Sequence, residues 1–307
     1  MNYGKIWLGI FPFLVACGGN PQAQTSVSSS QKTLTFPLPE VPVMLRQVED
    51  RLNYVVEHYW DRFDFCDTAY IHAPEVTEQA LVNYIDLLGR VALERADSSL
   101  THVVRRAMQE PAMDKYLTET FRRYLMDPNS PLRNDELYEP VARLLAARTS
   151  DIAVSSRAGH DLRLIRINRR GTRATDFTYT LSDGTRQRLH RLSAERLILL
   201  FYDPDCENCA NTLEAMKASS LLADRLARNK VKVLAVYADE DTELWKKAQS
   251  SLPDTWLNAY DKERRIIREG LYDLQALPSL YLLDADKTVL LKDAAWERVE
   301  RYLSEHD

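Results

Sequence analysis

Between Pro42 and about Ser150, apolar positions recur at intervals of three and four: Met44, Val48, Leu52 and Val55-Val56, then Leu81, Tyr84-Ile85 and Leu88. That period lines them along one face of a helix, with Glu49, Asp50 and Arg51 on the polar side. Tyr124-Leu125-Met126 runs into Asp127-Pro128-Asn129-Ser130-Pro131, a cluster whose prolines must break a helix. A further helical stretch follows from Leu137 to Arg148. With no strand-like alternation inside it, the block over residues 37–160 predicts an all-α domain of about four or five helices. Tyr54, Tyr59, Trp60, Phe63 and Phe65 are assigned to its core.

From about residue 161 the period changes. Leu197 to Phe201 is a short apolar run bounded by charge and by Pro204, the pattern of a central strand buried on both faces. Cys209 to Leu226 has helical spacing, Val231 to Tyr237 reads as a second strand, and Thr242 to Gln249 as another helix. Leu280 to Leu283 and Thr288 to Leu291 flank Asp284-Ala285-Asp286-Lys287 as the arms of a hairpin, and Ala295 to Leu303 closes as a helix. Strands alternating with helices predict an α/β domain over residues 161–307, a central β-sheet flanked by helices.

Ahead of both blocks, Lys5 precedes eleven apolar or small residues, Ile6 to Ala16. At 1.5 Å each they cover about half of a ~30 Å hydrocarbon core, so residues 1–16 read as a secretory signal rather than a span. Leu14-Val15-Ala16-Cys17 resembles the lipobox of bacterial lipoproteins, which implies acylation of Cys17 and a membrane anchor. The polar stretch 17–36 reads as a flexible tether. It lacks an acidic run after Cys17, which favours a periplasm-facing chain; inner and outer membrane both stay open.

A net charge of −5, from 40 basic and 45 acidic residues, gives no electrostatic reason to expect nucleic acid as a partner. The ten arginines between 157 and 196 read as a solvated face or as a surface docked on the acidic helical block.

Four cysteines in 307 residues are too few for a disulfide scaffold. Cys206-Glu207-Asn208-Cys209 stands where a central strand ends and a helix begins. Unpaired N–H groups at a helix N-terminus favour a thiolate, so Cys206 is the candidate nucleophile. Cys209, about one turn inside, is placed to resolve a mixed disulfide. A structural zinc site needs four ligands; there is no second cysteine pair, and the one histidine after Cys206 is His306. No metal or cofactor is therefore expected. A disulfide this local closes a tiny loop and stabilises little, which leaves redox chemistry. Cys66, in Phe65-Cys66-Asp67, reads as a buried free thiol.

Gly171, Asp176-Phe177 and Asp183-Gly184, followed by the strand and the Cys-x-x-Cys, resemble the membrane-tethered TlpA/ResA-type thioredoxins. Leu277-Pro278-Ser279 resembles the cis-proline loop of that superfamily. The resemblance implies that Pro278 sits beside Cys206 and that the Leu277 backbone pairs with an extended substrate. It also implies client proteins with disulfides or thiols, and a DsbD-type membrane reductant. The helical block, through His58 to Phe65 and Tyr124 to Pro131, is similar to an uncharacterised domain fused to thioredoxin modules in Gram-negative lipoproteins, a likeness that implies no activity for it.

The sequence departs from the resemblance around the cysteines. Asp205 stands where Trp is common, and Leu200 where many thioredoxins carry an acid. Asp203, Asp205 and Glu207 surround Cys206 with negative charge, which opposes a thiolate and suits a reductase or isomerase better than a strong oxidase. Asp239, Glu240 and Asp241 are either proton partners of Cys209 or a solvated turn. The expected protein is a thiol-disulfide oxidoreductase; the alternative is a non-catalytic binding or scaffold lipoprotein with the same fold.

Overall fold

The computed structural model describes residues 34–306. The signal, Cys17 and the tether up to residue 33 lie outside the described residues. Among those described, the helical block has six α-helices: α1 Val48–His58, α2 Pro74–Leu88, α3 Leu93–Ala107, α4 Pro111–Leu125, α5 Asp135–Ala146 and α6 Ile152–Arg166. Prolines at the first position of α2 and α4 cost no hydrogen bond there. The Asp127–Pro131 break leads into α5, whose first turn is capped by the Asn134 side chain accepting from the N–H groups of Glu136 and Leu137.

Tyr59, Trp60, Phe63 and Phe65 are buried as expected, and Tyr54 lies half-buried against His58. A buried relay joins three helices: Ser99 Oγ donates to the Val56 carbonyl at 2.7 Å and shares a hydrogen bond with the Tyr84 hydroxyl at 2.5 Å.

Four expectations change. Met44 and Val48 are exposed, because α1 starts only at Val48 and turns its first turn to solvent. The helical block runs past residue 160 to Arg166, since Leu164 and Ile165 of α6 pack into the same core as α4 and α5. The helix expected over Cys209 to Leu226 breaks at Ser219, whose hydroxyl starts a new helix by accepting from the Leu222 N–H. Cys66 is exposed rather than buried. Its N–H donates to the Asp64 carboxylate in a tight turn that gives the core position to Phe65 instead.

The C-terminal block carries β1 Thr178–Leu181, β2 Arg186–Arg188, β3 Arg196–Phe201, β4 Val231–Tyr237, β5 Leu257–Tyr260, β6 Ser279–Asp284 and β7 Val289–Leu291. Its helices are α7 Glu207–Ala218, α8 Ser220–Ala227, α9 Thr242–Ala248, the single turn α10 Arg265–Arg268, and α11 Trp296–Glu305. The strands form one mixed sheet in the order β2-β1-β5-β4-β3-β6-β7. β3, β4 and β5 run parallel, while β6 and β7 form an antiparallel hairpin beside β3. Ile198 and Leu200 face a core shared with α7 and α11; Leu197, Leu199 and Phe201 face a second core on the other side. β3 is buried on both faces, which is why its sequence is a continuous apolar run.

Charged and polar side chains join the two blocks. Arg133, between α4 and α5, donates to Asp273 at 2.9 Å and pairs with Asp293 at 2.7 Å. Lys292 pairs with Asp135 at 2.6 Å and donates to the carbonyls of Leu164 and Ile165 at 2.7 and 3.0 Å, capping the C-terminal end of α6 with a cation. Of the arginine-rich stretch, Arg166 and Arg169 reach Glu139 of α5, whereas Arg186 and Arg188 pair with Glu263 and Asp176 in the C-terminal block.

Candidate active site

The register of β3 and β6 sets Phe201 directly opposite Ser279. The chain leaving β3 and the chain entering β6 therefore meet at one edge of the sheet, which brings Cys206 to Leu277 and Pro278. The Leu277–Pro278 bond is cis. The Leu277 carbonyl lies 3.5 Å from Cys206 Sγ and accepts from its thiol, while the Leu277 N–H has no partner among the described residues.

Cys206 is the N-cap of α7, and its Sγ accepts the backbone N–H of Cys209 at 3.2 Å. An N–H donated to sulfur at a helix N-terminus stabilises negative charge on it. Cys206 is half-buried and opens onto a groove of ≈ 410 Å³ shared with Asp203, Asp205, Gln275 and Leu277. Both thiols are free.

Cys209 lies behind this surface, wholly buried among Ile198, Leu200, Leu213 and Met216. Burial, with the hydrogen bond to Cys206 next, pushes its thiol up to about 12. The Asp203 N–H donates to Cys209 Sγ at 3.5 Å and acts the other way, while the negative charge of the Asp203 carboxylate adds to the rise. Asp203 is held in a tight turn, its Oδ1 accepting the Asp205 N–H at 2.8 Å. Leu200 is buried in β3, as expected.

Asp239, Glu240 and Asp241 are engaged in a surface turn: Arg264 holds the first two, and Asp241 caps α9. The structure thus brings Cys206, Cys209, Leu277 and Pro278 together and ties the acidic triplet to Arg264 and the α9 cap.

Sequence reasoning missed the contact layer around the cis-proline loop. Asp273 precedes that loop and Asp293 follows β7; Arg133 of the helical block grips both. Burial holds the Asp293 carboxyl above the usual carboxylate range, with Arg133 pulling it back. The partners lie far apart in the chain, and the one local signal near them is the Asp127–Pro131 break.

Residues 16–170 match the family model of a domain of unknown function, DUF5106, and residues 170–292 that of the AhpC/TSA family. A crystal structure of a thioredoxin-like protein from Bacteroides caccae shares 40% identity with this chain, covering 89% of this chain and 99% of its own, with a TM-score of 0.86. The C-terminal domain of an uncharacterised protein from Bacteroides fragilis is 47% identical over 45% of this chain and 98% of its own, at a TM-score of 0.44. A domain of a possible thiol-disulfide isomerase from Cytophaga hutchinsonii is 23% identical over 44% and 91%, at 0.37. No curated protein matches.

Proposed function

The chain belongs to the family of thioredoxin-like proteins that join a DUF5106 domain to an AhpC/TSA-type domain, and from that premise we propose that it is a thiol-disulfide oxidoreductase of reductase or isomerase type. The observation that carries this reading is the Cys206 sulfur, open to a groove, held at the N-terminus of α7 by the Cys209 N–H, with a second thiol buried behind it.

The Cys206 thiolate attacks one sulfur of a client disulfide. A bond forms between Cys206 Sγ and that sulfur, and the other client sulfur leaves with the electron pair. Two of the causes that hold Cys209 protonated, the hydrogen bond to Cys206 and the charge on it, belong to the free Cys206. Forming the mixed disulfide removes both, so Cys209 loses its proton more readily at the step that needs its thiolate. Cys209 then attacks Cys206, a Cys206–Cys209 disulfide forms, and the client departs as a dithiol. Two electrons have moved to the client, and a DsbD-type membrane reductant is the partner that restores them. The unpaired Leu277 N–H and its carbonyl present a strand edge to an extended client. Acylation at Cys17 and the polar tether complete the reading as a lipid-anchored, periplasm-facing protein whose clients are periplasmic proteins with disulfides or thiols.

Replacing Cys209 by Ser tests it. The variant is expected to accumulate mixed disulfides through Cys206 in the cell envelope, and the unmodified chain to reduce insulin in the presence of a dithiol. Absence of both favours the non-catalytic scaffold.

A further inference from the structure

We propose that the cleft between the Pro128–Pro131 turn and helix α7 is a docking groove for an extended polypeptide segment of the client, so that the helical block supplies one wall of the client site; the proposal rests on the oxidoreductase reading. The cleft holds ≈ 500 Å³. One wall is the turn that breaks the chain between α4 and α5, the other is the exposed side of α7, and Leu277 and Pro278 line it between them. Ala276 and Leu277 also line the groove onto which Cys206 opens, so the two spaces adjoin at that loop.

The wall from the helical block is built rather than loose. Ser130 Oγ donates to the Tyr124 carbonyl at 2.6 Å and accepts the Leu132 N–H, while the Asn129 N–H donates to the Asp127 carboxylate at 2.8 Å. Immediately after the turn, Arg133 is tied to Asp273 and Asp293, on the two chain segments that flank the cis-proline loop. These contacts tie the turn to the segments beside the loop that carries Leu277 and Pro278.

The chemistry of the lining selects the occupant. Asn129 faces the cleft from one wall, and Asn208, Asn211 and Thr212 from the other. None of these four side chains has a hydrogen-bond partner among the described residues. Neutral amides and a hydroxyl offer donors and acceptors together, which suits peptide N–H and C=O groups of any sequence. The charged groups at the margin, Arg133 with Asp293 and Glu297 beside Arg298, are mixed in sign and give an anion or a cation no advantage. A stable contact with a folded partner takes about 800 Å² from each side, whereas a cleft of this volume admits a few residues of extended chain.

The test uses the full chain with Cys17, Cys66 and Cys209 each replaced by Ser, so that Cys206 is its one thiol. Two probes carry a cysteine blocked as a thionitrobenzoate mixed disulfide: free cysteine, and an unstructured peptide of about twelve residues, ~40 Å when extended. Attack by Cys206 forms a disulfide with the probe cysteine and releases the coloured thionitrobenzoate anion, whose rate is read. The peptide is expected to react about tenfold faster than cysteine. Asn129→Trp and Asn211→Trp, wedges on opposite walls, are each expected to bring that ratio close to one. Equal rates for the two probes, or a ratio that survives both wedges, overturn the groove alone. So does a folded protein with one surface cysteine blocked in the same way that releases thionitrobenzoate as fast as the peptide. Release from neither probe overturns the oxidoreductase reading and the groove with it.

Discussion

The backbone N–H of Asp203 points at the sulfur of Cys209 from 3.5 Å. The same residue therefore both supports and opposes ionisation of the resolving thiol: its amide stabilises the thiolate and its carboxylate repels it. Asp203→Asn separates the two. The amide side chain can still accept the Asp205 N–H, so the turn and the backbone donor stay in place. Removing the charge lowers the Cys209 thiol from about 12. Resolution of a mixed disulfide at Cys206 is then expected to run about fivefold faster near pH 7.5, where the rate follows the thiolate fraction. Stopped-flow release of a labelled peptide from Cys206 across pH 6–10 measures it. A slower variant would mean that the carboxylate accepts the Cys209 proton.

The burial of Cys209 has a signature in stability. A thiol whose folded pKa lies above its unfolded value of about 8.5 binds its proton more tightly in the folded state. Its contribution is complete below that pH and is lost as pH rises toward about 12. The reduced chain is expected to lose urea resistance between about pH 8 and 10 more steeply than Cys209→Ser, which has no proton to lose there. Parallel curves would place the thiol in a wetter site than its neighbours Leu200 and Met216 provide.

Arg133 is 12% exposed and sits among Asp135, Asp273 and Asp293. Arg133→Ala strands Asp273 and Asp293, while Asp135 keeps Lys292, and breaking a buried pair from one side costs about 3–5 kcal/mol. The loss should depend on pH. Asp293 already lies above the usual carboxylate range because it is buried, and Arg133 is what restrains it. Without the arginine it rises further. A carboxyl raised above its unfolded value favours the fold when protonated, so the penalty at pH 7.5 is expected to shrink as pH falls toward about 5. Denaturant titrations at the two pH values check this, and an equal penalty at both would count against a charge-based joint.

What could be read from the sequence was local. Leu197 to Phe201 announced β3 because a strand buried on both faces has no polar position to interrupt it, and Asp284–Lys287 announced its hairpin through turn chemistry. Cys206 and Cys209 were legible for the same reason, since a strand end, two cysteines and a helix start are consecutive in the chain. Arg133 was not. Its partners Asp273 and Asp293 are brought to it by the packing of two blocks, and no periodicity records a contact across that distance. Cys66 was misplaced because its exposure is decided by a side-chain turn through Asp64, which gives the core position to Phe65.

Lys292 tests whether the two blocks are joined by specific pairs. Its side chain is 8% exposed, and its ammonium reaches Asp135 at 2.6 Å and closes the last carbonyls of α6. Lys292→Met keeps the buried stem and removes the charge, leaving two helix-end carbonyls without a donor; a cost of about 2–3 kcal/mol is expected. Asp135→Asn alone should cost less, because Lys292 keeps the Leu164 and Ile165 carbonyls as acceptors and the amide oxygen can still accept its N–H. In the double variant the lysine–aspartate term is lost once rather than twice, so the two penalties should fall short of adding by about 1–2 kcal/mol. Strict additivity would mean that Lys292 acts on the α6 carbonyls and not through Asp135. In that event the joint between the blocks rests on Arg133, and Lys292→Met should leave the distance between labels on α5 and α11 unchanged by electron paramagnetic resonance.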